Sequence, residues 1–220
     1  MISESDYPAR GWSVMDCYSH LLPSGLFERM ASHAESAGLS SVGTRNLLHS
    51  FTLAMKPKIV LEVGAHIGNG AVAIGSALKR NNFGHLYSLE PQTHYFDLIS
   101  DFVRQAELSE YVSPLKLFST DNSLSSVLGE PVDLIYLDAN HSYTYVEKDL
   151  SICEKLLSKN GVILLDDVGV HHSANIDSER RGGVRQALLD FVAKRQNWGV
   201  VFLEHPYWLN PCGIAIASRR

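Results

Sequence analysis

From Lys58 onward the chain alternates between short unbroken apolar runs and longer stretches in which apolar residues recur every three or four positions. The runs are Lys58–Val63, His85–Leu89, a segment within Val112–Phe118, Val132–Leu137, Val162–Leu165, Val200–Leu203 and Gly213–Ala217. Runs of this length and character read as strands buried on both faces of a mostly parallel sheet. The stretches between them read as helices. One reaches about Arg80 and is closed by Asn81-Asn82 and Gly84, and the next carries Phe96, Ile99, Phe102 and Val103 on one face. A short helix is expected near Leu124–Leu128. A longer one shows Val146, Leu150, Cys153 and Leu157 before Asn160-Gly161 stops it, and another is marked by Val184, Leu188, Phe191 and Val192. The last two runs are joined by residues 204–211 with no helical pattern, so they should pair antiparallel. The pattern predicts an α/β fold, a Rossmann-like doubly wound seven-stranded sheet with an antiparallel C-terminal edge strand. Ahead of it, Leu26, Phe27, Met30, Ala31 and Ala34, and then Leu47, Leu48, Phe51 and Met55, recur at helical spacing. We therefore divide the chain into an N-terminal helical extension over 1–57 and a main domain over 58–220. The extension, with Tyr7, Trp12 and Tyr18, is expected to serve as a lid or a dimer surface.

Length and charge narrow the partners. A chain of 220 residues suits one well-buried domain. Its net charge of −5 argues against nucleic acid, whose binders usually present a basic face. The apolar stretches are strand-length, so no membrane partner is expected, and Met1–Asp6 is acidic without the apolar core of a signal peptide. Cys17, Cys153 and Cys212 form no metal spacing and no even disulfide set, and Cys153 and Cys212 read as small core residues. A reducing cytoplasm fits these features.

Two of the apolar runs stop on acid: Val132–Leu137 at Asp138, and Val162–Leu165 at Asp166-Asp167. Ligands of open α/β sheets bind just beyond the carboxyl ends of such strands. Three carboxylates gathered there repel one another unless a cation sits between them or one keeps its proton. A divalent metal with oxygen ligands is the first candidate. The plainer alternative makes Asp166 a helix cap and Asp167 a solvated loop charge.

The first strand runs into Glu62-Val63-Gly64-Ala65-His66-Ile67-Gly68-Asn69-Gly70, and the second ends at Glu90. Glycines let the backbone turn sharply and approach a ligand, with amides at a helix N-terminus facing it. A carboxylate in the position of Glu90 accepts ribose hydroxyls, so loop and acid together point to an adenosine-containing ligand. Glu62 opposes a pyrophosphate but suits a sulfonium or an ammonium, unless nearby backbone amides simply satisfy it. A nicotinamide cofactor is the alternative. It would call for a Tyr-x-x-x-Lys pair, and Tyr145-Val146-Glu147-Lys148 is one residue too short.

With these residues in place, residues 42–219 resemble the class I S-adenosylmethionine-dependent methyltransferases, which makes 58–220 the methyltransferase domain. The resemblance implies that Glu62, Gly64, His66, Gly68 and Gly70 hold the methionine part of the cofactor and Glu90 its ribose. It places Ser119 and Thr120 near the adenine, although Phe118 stands where the family often has an acid. The segments Tyr136-Leu137-Asp138-Ala139-Asn140-His141-Ser142-Tyr143 and Gly161–Asp167 resemble the metal-dependent O-methyltransferases of the catechol type. They resemble the macrocin and natural-product type more closely, as do Gly183–Ala187, Asn197-Trp198 and 202–206. This implies Mg²⁺ held by Asp138, Asp166 and Asp167, with Asp138 also beside the cofactor and catalytic. The expected reaction is methyl transfer to a hydroxyl of a small molecule; a metal-independent N- or O-methyltransferase is the alternative.

Catechol-type enzymes carry a lysine base three residues after the first metal aspartate. This chain has His141 there. Histidine titrates near neutrality and can take a hydroxyl proton, which makes His141 the candidate general base. A fourth metal ligand or a helix-start residue are its other readings. Without the lysine, a sugar or polyketide diol is favoured over a catechol. His171, His172, Arg180 and Arg181 follow the metal aspartates and are expected to wall the acceptor site, and a homodimer is allowed for.

Overall fold

The computed structural model describes residues 16–36, 40–204 and 212–220, so Tyr7, Trp12 and the 205–211 link fall outside it. Two helices come first, α1 (Leu26–Ser32) and α2 (Val42–Met55). The alternating part follows as β1 (Ile59–Val63), α3 (Asn69–Asn81), β2 (His85–Leu89), α4 (Thr93–Gln105), β3 (Val112–Leu115), α5 (Leu124–Leu128) and β4 (Val132–Leu137). It continues with α6 (Tyr143–Leu156), β5 (Leu157–Leu165), α7 (Val170–Ile176), α8 (Gly183–Ala193), β6 (Trp198–Leu203) and β7 (Ile214–Arg219). The seven strands lie in the order β3-β2-β1-β4-β5-β7-β6. Strands β1 to β5 are mutually parallel, while β7 runs antiparallel to both β5 and β6.

The chain winds outward from β1 to β3 and then returns to β4 on the other side of β1. That reversal opens a crevice at the carboxyl ends of β1 and β4. Val63 pairs with Leu137 at this point, so Gly64 and Asp138 emerge side by side.

Alternation along the strands builds two cores. Leu61, Val63, Ile135, Leu137, Ile163 and Leu165 face one layer, with Val146 and Leu150 of α6 and Val184 and Leu188 of α8. Val60, Leu134, Tyr136 and Leu164 face the other, with Ile74 of α3 and Ile99 of α4. Glu62 shares the second face by the same period of two, which aims a carboxylate at the start of α3.

The N-terminal helices join that second core through Tyr18, Leu26, Met30 and Leu48. Ser41 caps α2 by accepting the Thr44 amide at 3.1 Å. Arg45 is held by both oxygens of Asp16 at 2.8 Å, with its guanidinium over the Phe27 ring.

Two boundaries differ from expectation. Leu157 opens β5 rather than closing α6, so the strand starts five residues before Val162. Its spacing from Cys153 satisfies a helical period, but Leu157 pairs with Val132, and a register irregularity between Val132 and Leu134 absorbs Asn160-Gly161. The stretch after Asp167, for which the pattern predicts no helix, contains α7; only Ser173 of it is buried, so it carries no apolar period.

Asp177 organises the α7–α8 turn. It is buried, and its carboxylate accepts the backbone amides of Tyr143, Glu179, Arg181 and Gly183. Alanine there leaves buried amides unpaired, at a cost of about 2–3 kcal/mol. We expect Asp177→Ala to lower the Tm by roughly 5–10 °C, read by calorimetry. An unchanged melting curve would show that water replaces the carboxylate.

Candidate active site

The glycine loop is fixed from three sides. The Gly64 and Ala65 amides donate to the Leu89 carbonyl at 3.2 and 3.0 Å, and the His66 amide donates to Glu90 Oε2 at 3.0 Å. Glu90 Oε1 accepts the Gln92 amide at 2.9 Å, so both oxygens of this acid pin the loop to the end of β2. Gly64 has φ +93°, and a Cβ there would lie 2.1 Å from the Asp138 carbonyl oxygen. Only glycine fits both the dihedral and the approach of β4. Gly64→Ala is therefore expected to weaken cofactor binding at least about tenfold by displacing the loop. Calorimetric titration with S-adenosylhomocysteine checks this, and wild-type affinity would contradict it.

Glu62 is 1% exposed. One of its oxygens accepts the Ser88 hydroxyl, while Oε1 has no partner among the described residues. Gly70 packs on that free oxygen, since a Cβ at Gly70 would come within 2.2 Å of it. Burial, helped by the charges of Asp138 and Glu90, pushes the Glu62 carboxyl up to about 8. The Asn69 Oδ1 nearby is also buried and unpaired. Two acceptors without donors at a helix start are what a bound ammonium would satisfy.

Two cavities open on the crevice. The larger, of about 770 Å³, is lined by Glu90, Tyr95, Phe118, Ser119, Tyr145 and Asp149, among others. Ser119 donates its hydroxyl to Asp149, whose carboxyl is raised by burial. Thr120 lines the same cavity and is exposed. The His66 ring lies 4.5 Å from that of Tyr95, and burial lowers the pKa of its imidazole. The second cavity, of about 400 Å³, holds Glu62, Asn69, Asp138, His141, Asp166, Asp167, His172 and Cys212. Gly64, His66, Asp138 and Ala139 belong to both.

The three strand-end acids are not equivalent. Asp166 and Asp167 are buried, which removes the reading of Asp167 as a solvated charge, and the N-cap of α7 is Gly169 rather than Asp166. Asp138 and Asp167 converge with His141, their ligating atoms lying within 4.8 Å of one another. Asp166 instead turns inward, one oxygen accepting the Asp167 amide and the other 2.9 Å from the Tyr136 hydroxyl. That hydroxyl is also 2.9 Å from Asp138 Oδ2. It has one proton to give, so the second carboxyl must bring its own. Asp166 is the one that does, because burial and the charges of Asp138 and Asp167 raise it far above the carboxylate range.

His141 Nε2 sits 2.8 Å from Asp167 Oδ2 and 3.9 Å from Asp138 Oδ1. Its hydrogen bonds to Asp138 and Asp167 push its pKa up to about 10. Burial alone would raise Asp167, but His141 and His172 outweigh it and hold that carboxyl low. The imidazolium therefore occupies the cationic position that three gathered acids demand.

Residues 61–168 match the family model described as a methyltransferase domain. An O-methyltransferase from Bacillus cereus, solved in complex with SAH, is 18% identical and superposes with a TM-score of 0.72, covering 95% of this chain and 98% of that one. The O-methyltransferase TomG from Streptomyces achromogenes, involved in tomaymycin synthesis and solved with SAM, is likewise 18% identical with a TM-score of 0.72, covering 100% and 99%. These likenesses show the fold alone. A serine/threonine-protein kinase PLK4 of Aedes aegypti is 29% identical over 100 residues, 45% of this chain. The chain spans only 13% of that kinase. It contains neither the Asp-Phe-Gly nor the His-Arg-Asp motif of kinases.

Within residues 61–168, sequence reasoning singled out Glu62, the glycines, Glu90 and Asp138; Glu62, Gly64, Gly70, Glu90 and Asp138 line the two cavities, whereas Gly68 lines neither. It passed over Tyr136, Asn69, Tyr95 and Asp149. Tyr136 had a readable signal, because it lies two residues before Asp138 and so leaves the strand on the same face. Just beyond that segment, His172 contacts Asp167 at 2.9 Å, whereas His171 is exposed. Arg181 stacks on Tyr143 at 3.6 Å, and Arg180 is exposed; neither lines the two cavities. Cys153 is buried, but Cys212, expected in the core, lines the smaller cavity.

Proposed function

We propose that this chain is an S-adenosylmethionine-dependent O-methyltransferase that uses a divalent cation, Mg²⁺ first, to methylate a small hydroxylated molecule such as a vicinal diol. The observation that carries the reading is the meeting of two unlike cavities at Asp138. The larger offers Glu90 as an acceptor for a ribose; the smaller holds the unpaired oxygens of Glu62 and Asn69 together with carboxylates and an imidazole.

The residues present fit the methyl donor. Glu62 Oε1 and Asn69 Oδ1 are buried acceptors awaiting donors, and Glu90 keeps lone pairs beyond its two amide contacts. Phe118 is 62% exposed and Tyr145 55%, both at the wall of the larger cavity, where a purine would cover them. Ser119 and Asp149 offer polar atoms at its edge. When bound, the donor supplies a methyl group already activated on a sulfonium.

The donor set for the cation is hard. Asp138 and Asp167 would hold it, with His141 beside them and Asp166 behind. A divalent cation lowers the pKa of an alcohol bound to it. The chain's own work is placement: Asp138 sits where the two cavities join, and fixed positions near the methyl group account for much of such a rate. His141 is held as an imidazolium while it alone balances Asp138 and Asp167. It takes the acceptor's proton at Nε2 only where that charge is balanced otherwise. The smaller cavity's volume of about 400 Å³ favours a sugar- or polyketide-sized acceptor over a macromolecule.

Transfer of a labelled methyl group to a panel of sugar, polyketide and phenolic diols tests this. Activity should vanish with a chelator and return with Mg²⁺. Activity indifferent to the chelator would favour a metal-independent methyltransferase, and absence of S-adenosylmethionine binding would end both readings.

A further inference from the structure

Asp167 divides its two oxygens between two different neighbourhoods. Oδ2 faces His141 Nε2 at 2.8 Å, and Oδ1 faces His172 Nε2 at 2.9 Å. On the second side a thiol joins the group: ligating atoms of Asp167, His172 and Cys212 all lie within 4.8 Å of one another. We propose that Asp167 Oδ1, His172 Nε2 and Cys212 Sγ form a second metal position, which takes a thiophilic divalent ion of the Zn²⁺ class, and that Asp167 bridges it to the Asp138–His141 side.

The donor chemistry separates the two positions. Sulfur and imidazole nitrogen are poor ligands for Mg²⁺, which requires oxygen, and good ones for zinc and its neighbours. Three protein ligands with a fourth position open to a cavity is the arrangement of zinc sites that act on a bound molecule. Here the open position faces the cavity that also holds Asp138 and His141.

The three ligands come from segments that the backbone already ties together. Asp167 has φ +59°, which turns its side chain off the line of β5 into the cavity. Two residues on, the Gly169 amide donates to the carbonyl of Cys212 itself, and the Val168 amide donates to Gly213 at 3.4 Å. His172 lies in α7, which is anchored where the Ser173 hydroxyl donates to the Gly182 carbonyl at 3.0 Å and accepts the Arg185 amide at 2.9 Å. In a tetrahedral zinc site neighbouring ligand atoms stand about 3.3–3.7 Å apart. The present spacing, within 4.8 Å, is at most about 1 Å wider than that.

The test uses the full chain, stripped of metal by a chelator and with no methyl donor present, so its outcome is independent of the methyl-transfer reading. Titration with Co²⁺ should produce a thiolate-to-cobalt charge-transfer band in the near ultraviolet at one equivalent. Zn²⁺ should displace it and excess Mg²⁺ should not. Cys212→Ser should abolish the band, and His172→Ala should weaken Co²⁺ binding by about a hundredfold. Cys17→Ser and Asp138→Ala should both retain it. In the wild-type chain, Zn²⁺ should also protect Cys212 from iodoacetamide, read on its peptide by mass spectrometry; this arm holds even if a variant misfolds. Absence of the band, its survival in Cys212→Ser, or unprotected alkylation of Cys212 would overturn the proposal.

Discussion

Replacing Asp138 with alanine is expected to lower turnover by about 10³-fold or more, some 4 kcal/mol of barrier, while S-adenosylhomocysteine binds within a few-fold of wild type. The asymmetry follows from where the side chain points. Its backbone amide is held by the Val63 carbonyl at 2.9 Å, and a mutation to alanine leaves that strand-end pairing alone. The donor-side contacts at Glu62, Asn69 and Glu90 do not use the Asp138 carboxylate. What is lost is the charge between the two cavities and one acceptor of Tyr136, whose hydroxyl keeps Asp166. Asp138→Asn separates charge from shape, because the amide still accepts from Tyr136. It should fall nearly as far as alanine if the charge matters. Single-turnover rates with labelled donor and a calorimetric titration read the two effects apart. An alanine variant retaining a tenth of the wild-type rate would remove Asp138 from the catalytic machinery.

The chain announced its sheet and half of its site for the same reason. Buried strands need continuous apolar sequence, so an acid within one or at its end stands out, and Glu62, Asp138 and Asp166-Asp167 were all visible that way. What the acids do once there was not visible. Asp166 occupies a metal-like position in the pattern, yet its carboxyl turns to Tyr136 and the Asp167 amide, because a neighbouring hydroxyl and amide decided its rotamer. Likewise His141 reads as a base by its spacing, while two carboxylates within 3.9 Å make it a cation. Cys212 was hidden by its setting: it lies next to an apolar strand, and the pairing of Gly169 with its carbonyl, from a distant segment, helps bring it to the cavity. Patterns of burial are written locally; hydrogen-bond partners from distant segments are not.

Glu62 supplies the second large expected effect, a pH dependence of cofactor binding. In the free protein its carboxyl titrates at about 8, raised chiefly by burial and further by Asp138 and Glu90, against an ordinary value of 4.5. An acid raised on folding makes the native state hold more protons than the unfolded one between those two values. The stability of the ligand-free protein should therefore decline as pH rises through that window. A bound ammonium reverses the preference, since it needs the carboxylate. Below pH 8 binding must then expel the Glu62 proton, and the Kd for S-adenosylmethionine should fall about tenfold per unit as pH rises from 6 to 8 before levelling. His66 does not mimic this, because burial keeps its imidazole neutral across most of the window. Glu62→Gln keeps the acceptor for Ser88 but has nothing to ionise. It should bind about 10–100-fold more weakly than wild type at pH 8, with the gap closing towards pH 6. Calorimetry in two buffers of different ionisation enthalpy counts the proton directly: close to one released by wild type at pH 7, none by the variant. A wild-type Kd that stays flat from pH 6 to 8 would mean that the unpaired oxygen of Glu62 receives no cation, and the ammonium would have to be sought at Asn69 alone.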